Sequence, residues 1–348
     1  MILTGDIGKV KSLLAIFSQE KEVKEVARRE FHNQEYASLQ EVVSVFLNEN
    51  HSQQDEPIYV ACFGIAGPNV NGNCEVTYEE TKLEWKFTIK DLRELLTANY
   101  VEVLNDMPAL GYAILKLPNS DLVDFNPDIL GERGNRAVSL ATGEGLGELL
   151  LYRDRSGDFL PSSSEGGHAN FAPHNNWDIN FLTYLHDQFS PPISWEKVIS
   201  WDGLQAVYEF LKDGKEVKET ASRKKPLSQE MSYEKIFRMA IENDDLCQRT
   251  LKHFAALYGA GIGDLALRNL AVNGVYIGGN IVQNFLKQEI TRHIFIEEFM
   301  NAFRDKEGFD EKKKFSEKNA KIPVKAFTNS EIVLMGTLQR ARIMANLE

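Results

Sequence analysis

The sequence predicts an α/β protein with two domains and an internally duplicated architecture. Three observations carry this prediction: a chain of 348 residues, strands that alternate with helices, and two strand-turn-strand units with glycine in each turn. A chain of this length can form two domains of ordinary size, each with its own core.

The first strand-turn-strand unit lies at the N-terminus. Two apolar runs, 1–4 and 13–17, flank the stretch GDIGKVKS at 5–12. We expect a hairpin with positive φ at Gly5 and Gly8, because glycine adopts that region at no steric cost and lets a ligand approach the main chain. Asp6 then lies at a strand end, where it either holds a metal bound to a nucleotide or bonds the amides of the turn.

The residues that follow predict alternating helices and strands. The pattern indicates a helix over 35–48, a strand over 58–65, a helix over 91–97 and a short strand over 101–104. This last strand delivers Asn105 and Asp106 to its carboxyl end, the edge at which open α/β sheets bind ligands. The polar, proline-containing segment 116–135 is the best candidate for a crossover between domains.

The second half opens with the second strand-turn-strand unit. A strand over 137–141, a glycine turn over 142–147 and an apolar run over 149–152 resemble the first hairpin. Helical patterns over 177–211 and 233–270 follow, interrupted by a charged loop at about 212–225, and then a strand runs into Gly278 and Gly279. We expect 305–321 to be a solvated surface segment without chemistry, and the helix over 331–347 to dock on the first domain.

Composition excludes several classes of function. The chain is 43% hydrophobic and 26% charged, and 39 basic against 51 acidic residues leave a net charge of -12, which repels nucleic acid and anionic membranes. Its three cysteines show no paired framework and no zinc-type spacing, so we expect a reducing compartment. No apolar stretch approaches 18 residues and no leader pattern is visible, which predicts a cytoplasmic protein.

Several short motifs occur in an order that is informative. They are GDIG at 5–8, ND at 105–106, GEGLG at 143–147, EGGHANFAP at 165–173 and GGN at 278–280. Together they resemble the bacterial glucokinase family in order and approximate spacing, over nearly the whole chain, and EGGHANFAP is the most specific of them.

The resemblance implies the two-domain actin-like ATPase (ribonuclease H-like) fold with an interdomain cleft. It places 1–115 and 332–348 in a small domain with the first phosphate loop and the catalytic aspartate. The large domain, 116–331, then holds the second phosphate loop, the sugar ligands and the adenosine side. The implied reaction transfers phosphate from ATP to the 6-hydroxyl of glucose with Mg²⁺, in a homodimer.

The resemblance also implies roles for individual residues. Asp106 is the general base, and the remaining sugar ligands are Asn105, Glu165, His168 and Glu196. The nucleotide site comprises Asp6, Gly8, Lys9, Gly143, Glu144, Gly145, Gly278 and Gly279, and Asp6 binds the metal through water. From the residues alone, His168 could instead be a turn residue bonded to backbone, and Glu196 could be an acidic residue that favours a helix start.

Both phosphate loops depart from the family pattern. Lys9 and Val10 stand where the family usually has Gly-Thr, and Glu144 stands where it has Thr. Each lost hydrogen bond to a phosphate costs about 1.5–3 kcal/mol, and a carboxylate about 5 Å from a phosphate oxygen adds repulsion of about 3 kcal/mol. In the adenosine half, Trp201-Asp202-Gly203 replaces Gly-Pro-Gly and Asn280 replaces a glycine.

These departures leave two hypotheses. In the first, Lys9 and Lys11 bind the phosphates, while Glu144 joins the magnesium shell or pairs with Lys9, and the protein is an ATP-dependent glucokinase. In the second, Lys9 and Glu144 neutralise each other at an empty nucleotide site. The protein is then a sugar-binding protein with weakened or absent nucleotide binding and kinase activity, and could act as a regulator.

Overall fold

The structure is a computed structural model that describes residues 1–50, 56–212, 214, 231–306 and 314–347. The chain divides into two compact units: unit 1 comprises Met1–Leu117 and Asn329–Glu348, and unit 2 comprises Pro118–Thr328. The chain therefore passes from unit 1 to unit 2 and returns, so that unit 1 is built from both ends of the sequence.

Strands and helices alternate along most of the chain. In chain order the strands are β1 (Ile2–Ile7), β2 (Lys11–Phe17), β3 (Glu25–His32), β4 (Val60–Ile65), β5 (Asn69–Val70), β6 (Asn73–Tyr78), β7 (Leu83–Thr88), β8 (Tyr100–Asn105), β9 (Leu122–Asp124), β10 (Arg136–Ala141), β11 (Leu146–Arg153), β12 (Phe159–Ser164), β13 (Gly274–Gly278) and β14 (Val324–Phe327). The helices are α1 (Leu39–Asn50), α2 (Ile89–Leu96), α3 (Asp106–Ile114), α4 (Asn176–Gln188), α5 (Trp195–Val198), α6 (Trp201–Lys212), α7 (Tyr233–Ile241), α8 (Asp245–Asn269), α9 (Asn280–Leu286), α10 (Glu289–Arg304), α11 (Lys314–Ala320) and α12 (Ile332–Met344).

The main sheets of the two units have the same strand order. In unit 1 the order is β3-β2-β1-β4-β8, with β1 antiparallel to β2 and parallel to β4. In unit 2 the order β12-β11-β10-β13-β14 repeats these directions, and β9 adds a sixth strand at the edge. The predicted internal duplication is therefore confirmed.

The sequence pattern missed the edge strands β3 and β12, and it also missed β5, β6, β7, β9 and β14. In β3, EVARREFH, only Phe31 is buried, and in β12, FLPSSS, no residue is. Because an edge strand without a buried face carries no apolar alternation, periodicity cannot identify it. The predicted core strands and helices are present, and their observed ends differ from the predicted ends by up to about four residues.

Helices cover both faces of the unit 1 sheet. On one face Leu3 and Phe63 pack with Phe46 of α1, and on the other Ile2 packs with Leu334 of α12. Successive strand residues point to opposite faces, so β1 serves both cores. The helix α12 is thus part of unit 1, which confirms that the last helix docks on the first domain.

The core of unit 2 is built around α8, which is capped by Asp244 and packs against α10. Gly259 allows the close approach of these helices, because a Cβ atom there would overlap the carbonyl of Phe299. Phe299 and Phe295 of α10 make edge-to-face contacts with Phe125. Such aromatic pairs stabilise the core beyond the effect of burying the rings.

The N-terminal hairpin is confirmed, but the predicted conformation of its glycines is wrong. Neither Gly5 nor Gly8 is among the residues with positive φ. Gly5 lies within β1, where a Cβ atom would be 2.6 Å from the ring of Phe63, and a Cβ atom on Gly8 would be 2.9 Å from the carbonyl oxygen of Lys11. Close packing is therefore the reason for glycine at both positions.

The charged loop predicted at about 212–225 lies outside the described residues, except for Lys212 and Gly214. In the part of the chain that is described, no helix has the length and apolar character needed to cross a bilayer.

Candidate active site

The turn that joins β1 to β2, residues 8–10, is held by Asn33. The N–H of Gly8 donates to the carbonyl of Lys11 at 2.9 Å, which closes the turn. The side chain of Asn33 donates to the carbonyl of Gly8 at 2.8 Å and accepts from the hydroxyl of Ser12 at 2.7 Å. Asn33 also donates its backbone N–H to the carbonyl of Val10 at 2.9 Å, and it is fully buried. The backbone of this first turn is therefore preorganised.

Two lysines of the first turn have partners within unit 1. Nζ of Lys11 lies 2.6 Å from Oε1 of Glu30, an ion pair between β2 and β3. Nζ of Lys9 lies 5.7 Å from the ring centroid of Tyr78, within cation–π range. Both lysines are exposed, and exposed contacts of this kind are weak enough for a bound anion to compete with them.

Asp6 and Asp106 bring two carboxyl groups close together in unit 1. Asp6 is the penultimate residue of β1, and Asp106 follows β8 directly as the first residue of α3. The intervening strand β4 places Gly64 opposite Asp6 and so adds no side chain there. Burial, and next the charge of Asp106, raise the pKa of Asp6 to about 7. Carboxyl groups perturbed in this way are concentrated at functional sites.

Asn105 fixes the start of α3 and therefore the position of Asp106. Its Oδ1 accepts from the backbone N–H of Met107 at 3.1 Å, and its Nδ2 donates to the carbonyl of Gly67 at 3.2 Å. An amide has two N–H donors and two acceptor lone pairs, so one of each is left for a ligand. Met107 is buried.

The turn that joins β10 to β11, residues 142–145, is the counterpart of the first turn in unit 2. The N–H of Thr142 donates to the carbonyl of Gly145 at 3.0 Å, and its hydroxyl accepts from the N–H of Gly145 at 3.0 Å. Gly143 has φ of 106°, and a Cβ atom there would overlap the indole of Trp201. Glu144 is exposed at the tip of this second turn.

The two glycines at the end of β13 lie next to the second turn. Gly278 pairs with Leu140 of β10, and a Cβ atom on it would overlap the ring of Phe327. Gly279 has φ of 97°, and a Cβ atom there would overlap the carbonyl of Ala141, one residue before the turn begins. The structure thus brings Gly143, Glu144, Gly145, Gly278 and Gly279 to one edge of the unit 2 sheet.

Three predicted sugar ligands form a cluster in unit 2. Nε2 of His168 lies 3.8 Å from Oε2 of Glu165, and Nδ1 of His168 lies 3.7 Å from Oε1 of Glu196. The side chains of Glu165 and His168 are 91% and 62% exposed, whereas that of Glu196 is 23% exposed. Glu165 and His168 are therefore open to a ligand, and Glu196 is partly enclosed.

Glu196 combines the two interpretations that the sequence left open. It lies in the first turn of α5, whose cap is Ser194, as expected for an acidic residue at a helix start. Its Oε2 also accepts a hydrogen bond of 3.0 Å from the backbone N–H of Leu146, directly after the second turn. The N–H of Trp195 donates to the carbonyl of Ala169 at 2.9 Å, which attaches α5 to the segment that carries His168.

One sequence prediction fails at two residues of the segment 305–321, although Asp305, Glu317, Lys318 and Lys321 of the same segment are exposed as expected. The segment 305–321 was expected to be a solvated surface without chemistry, but Lys306 is 5% exposed and its Nζ lies 2.7 Å from Oδ1 of Asp264. Asn319 in the same segment is fully buried, and residues 307–313 lie outside the described part of the chain. The prediction rested on composition, which counts charges without showing where their partners are.

Sequence reasoning also missed four residues that support the candidate site: Asn33, Glu148, Asp264 and Arg268. The contacts that matter at the candidate site join residues far apart in the sequence, for example 21 positions for Asn33 with Ser12. No local pattern signals such pairs. The buried face of β11 is the one indication, because Glu148 occupies a position where an apolar residue is expected.

The duplicated sheets, with one glycine turn at each equivalent strand pair, define a two-domain protein of the actin-like ATPase fold. The chain belongs to the glucokinase family, which it matches over residues 3–344. Among the residues that the structure describes, there is no group of three or more His, Cys, Asp or Glu side chains able to hold a metal ion.

Relatives in this family cover nearly the whole chain. A glucokinase of Synechocystis sp. is 29% identical over 356 residues, which cover 96% of each chain. A glucokinase of Nostoc punctiforme is 32% identical over 303 residues, which cover 82% of this chain and 86% of the relative.

Solved structures share the fold. A glucokinase from an Antarctic psychrotroph superposes with a TM-score of 0.78 at 25% identity and covers 98% of both chains. A ROK family glucokinase from Streptomyces griseus, in complex with glucose and AMPPNP, has a TM-score of 0.57 at 15% identity and covers 98% of this chain and 99% of that one.

Proposed function

We propose that this chain is an ATP-dependent glucokinase that transfers the γ-phosphoryl group of ATP to the 6-hydroxyl of glucose. The products are glucose 6-phosphate and ADP. The observation that carries the proposal is the position of Asp106, next to Asp6 and at the start of a capped helix, in a chain that belongs to the glucokinase family.

Asp106 acts as the general base. Its carboxylate accepts the proton of the 6-hydroxyl while that oxygen bonds to the γ-phosphorus, and the bond from the γ-phosphorus to the bridging oxygen of ADP breaks. Phosphoryl transfer depends mostly on positioning and on electrostatic stabilisation. The cap by Asn105 supplies positioning, because it fixes the first turn of α3.

Asn105, Glu165, His168 and Glu196 bind the sugar hydroxyls. Glu165 and His168 are exposed and close to one another, and Glu196 is held by the N–H of Leu146, so the group offers both acceptors and donors. A sugar that lacks the matching hydroxyl leaves one of these groups unpaired when it binds, which gives discrimination among hexoses.

The nucleotide phosphates bind to the two glycine turns. Gly8 and Lys9 contribute from the first turn, and the backbone of Gly143, Glu144 and Gly145 contributes from the second, with Gly278 and Gly279 on the adenosine side. The Streptomyces griseus relative is in complex with AMPPNP, which supports ATP as the donor.

Mg²⁺ accompanies the nucleotide. It prefers oxygen ligands and is usually held by one or two carboxylates together with substrate phosphates, so a site with fewer than three protein ligands suits it. The carboxyl group of Asp6 fits this donor set, and Asp6 binds the ion through water. The ion would neutralise negative charge on the phosphates.

A second candidate is a sugar-binding protein of glucokinase fold without kinase activity. The observation that favours it is that Lys11 is paired with Glu30 and Lys9 lies against Tyr78, while Val10 and Glu144 replace hydroxyl side chains. If this second candidate is correct, glucose binds through the proposed sugar ligands while Mg-ATP binds weakly or not at all.

A coupled assay that oxidises glucose 6-phosphate distinguishes the two candidates. With glucose and Mg-ATP, the wild type should turn over and Asp106→Asn should lose about 10²–10⁴-fold in kcat, because the base is removed. Asp106→Asn should still show a thermal shift with glucose. Glucose binding without turnover in the wild type would contradict the kinase and support the second candidate.

We also propose that the protein is a cytoplasmic homodimer, as the family resemblance implies. Light scattering coupled to gel filtration should give twice the mass of 39.4 kDa. A mass equal to one chain across the working concentration range would contradict this proposal.

A further inference from the structure

The segment 165–174, which carries Glu165 and His168, lies against charged side chains at both of its ends. We call Glu148, Asp264, Arg268 and Lys306 the ionic platform. Glu148 belongs to β11, Asp264 and Arg268 to α8, and Lys306 follows α10. The proposed function above uses none of these residues, yet two of them are almost completely buried.

At the first end, Gly166 lies directly against Glu148. A Cβ atom on Gly166 would overlap Oε2 of Glu148, and the Glu148 residue is only 3% exposed. Burial raises the pKa of Glu148, while Nη2 of Arg268, 3.6 Å away from Oε2, acts in the opposite direction. The charge of this carboxylate therefore depends on Arg268.

At the other end, His174 is held between two aspartates. Its backbone N–H donates to Oδ2 of Asp178 at 2.8 Å, and Nδ1 of its ring lies 3.7 Å from the same oxygen. Nε2 of the ring lies 3.6 Å from Oδ2 of Asp264. Asp178 and then Asp264 raise the pKa of His174 to about 9 although burial and Lys306 oppose this, which favours the protonated ring near neutral pH.

Lys306 completes this end. Its Nζ donates to Oδ1 of Asp264 at 2.7 Å and to the carbonyl of Ala260 at 2.8 Å, and it lies 3.2 Å from Nε2 of His174. A lysine that is 5% exposed is costly to bury unless it is paired, and removal of its partner costs more than the pair contributes. Asp264 is therefore held in place from two sides.

The helix α8 joins the two ends. Asp264 and Arg268 are four residues apart, which places them on the same face of the helix. The charge of Asp264 also acts on the pKa of Glu148, so the two carboxylates are near each other. With Asp178 and the protonated His174, the array has three positive and three negative charges.

We infer that the ionic platform, through Gly166 and His174, positions Glu165 and His168 for the sugar and thereby sets the affinity for glucose. Its members are positioning residues, since none of them is among the proposed sugar ligands. The inference rests on the proposed function, because it assumes that Glu165 and His168 are the sugar ligands. A purely structural role would instead lower stability without a selective effect on glucose.

Two variants test the inference, one at each end. His174→Gln keeps hydrogen-bonding groups and removes the cation, and Arg268→Gln removes the partner of Glu148. Their controls are His186→Gln on α4, the helix that follows His174 and carries Asp178, and Lys252→Gln on α8, the helix that carries Arg268; both residues are exposed and outside the platform. Glucose and Mg-ATP affinities are measured separately by titration calorimetry, with Tm as the measure of general damage.

We expect the Kd for glucose to rise about tenfold in each variant, with the Kd for Mg-ATP nearly unchanged, the fall in Tm limited to about 2–4 °C, and no effect in either control. Because the two ends share α8, the double variant should lose less than the product of the single losses. Arg268→Lys should recover most of the affinity.

An unchanged Kd for glucose in both variants would overturn the inference, as would a loss that follows Tm and affects both ligands equally. The kinase proposal is judged separately, by turnover of the wild type. If the wild type binds glucose without turnover, only the kinase proposal fails. If it binds no glucose, both fail.

Discussion

Oε2 of Glu196 accepts a hydrogen bond of 3.0 Å from the backbone N–H of Leu146, while Oε1 of the same carboxylate lies 3.7 Å from Nδ1 of His168. One side chain thus contacts both the strand that leaves the second turn and a proposed sugar ligand. The first oxygen is engaged by the protein, so the second oxygen is the one that remains to face the sugar.

This arrangement predicts a graded effect at Glu196. In Glu196→Gln the amide oxygen can still accept from Leu146, so we expect the Kd for glucose to rise about tenfold and the affinity for Mg-ATP to persist. In Glu196→Ala the second turn also loses its anchor, so both affinities should fall. Titration calorimetry with each ligand measures this, with the exposed Glu242→Ala as control. Equal effects of the two variants on Mg-ATP would contradict it.

The first turn predicts an effect of Asn33→Ala on both stability and nucleotide binding. The variant leaves the carbonyl of Gly8 and the hydroxyl of Ser12 without their partner, which should cost about 1–3 kcal/mol of unfolding free energy. The loosened turn should also raise the KM for ATP, while the KM for glucose stays the same. Asn48→Ala, an exposed site on α1, is the control. If Asn33→Ala has the stability of the wild type, the turn keeps its conformation without the side chain of Asn33, which would contradict the prediction.

Replacement of Glu144 is expected to improve the binding of ATP. Because Glu144 is exposed at the tip of the second turn, Glu144→Thr removes a carboxylate and supplies a hydroxyl donor without disturbing the core. We expect the KM for ATP to fall at least about a hundredfold, since each of the two changes contributes more than about 1.4 kcal/mol. Glu144→Gln separates the charge from the hydroxyl. A rise in the KM for ATP would instead assign Glu144 to the binding of the nucleotide or its metal.

His174 predicts a pH-dependent contribution to stability. Its pKa is raised in the folded state from 6.5 to about 9, so its stabilisation is fully present below pH 6.5 and is lost as the pH rises through 9. The charged groups around it are Asp178, Asp264 and Lys306, and Asp305 and His253 line the same cavity of about 280 Å³.

We therefore expect His174→Gln to lower Tm by about 2–4 °C at pH 6, which is the effect of about 1 kcal/mol in a unit of this size. The difference should vanish above pH 9.5. Thermal unfolding followed by circular dichroism across this range measures it, with His186→Gln as the control for loss of an imidazole. A difference that grows with pH would show that His174 is buried as the neutral form.

Much of the fold could be predicted because it depends on local signals. The two glycine turns, the apolar core strands and the helices follow from residues that are close in the sequence, and so does the duplication of the two sheets. The reason for glycine at position 5 does not, because it is close packing against the ring of Phe63 on a neighbouring strand. The edge strand β3 could not be predicted in this way, because its side chains face solvent and follow no apolar period.

The family, the order of the motifs and the residue types at the candidate site could be recognised from the amino-acid sequence, since EGGHANFAP and the glycine turns are contiguous patterns. Which charges are buried and paired became clear only in the folded protein. Lys306 and Asp264 are 42 positions apart, and Lys306 and His174 are 132 positions apart. A buried charge is tolerated only when its partner lies within a few ångströms, and that distance is a property of the folded chain.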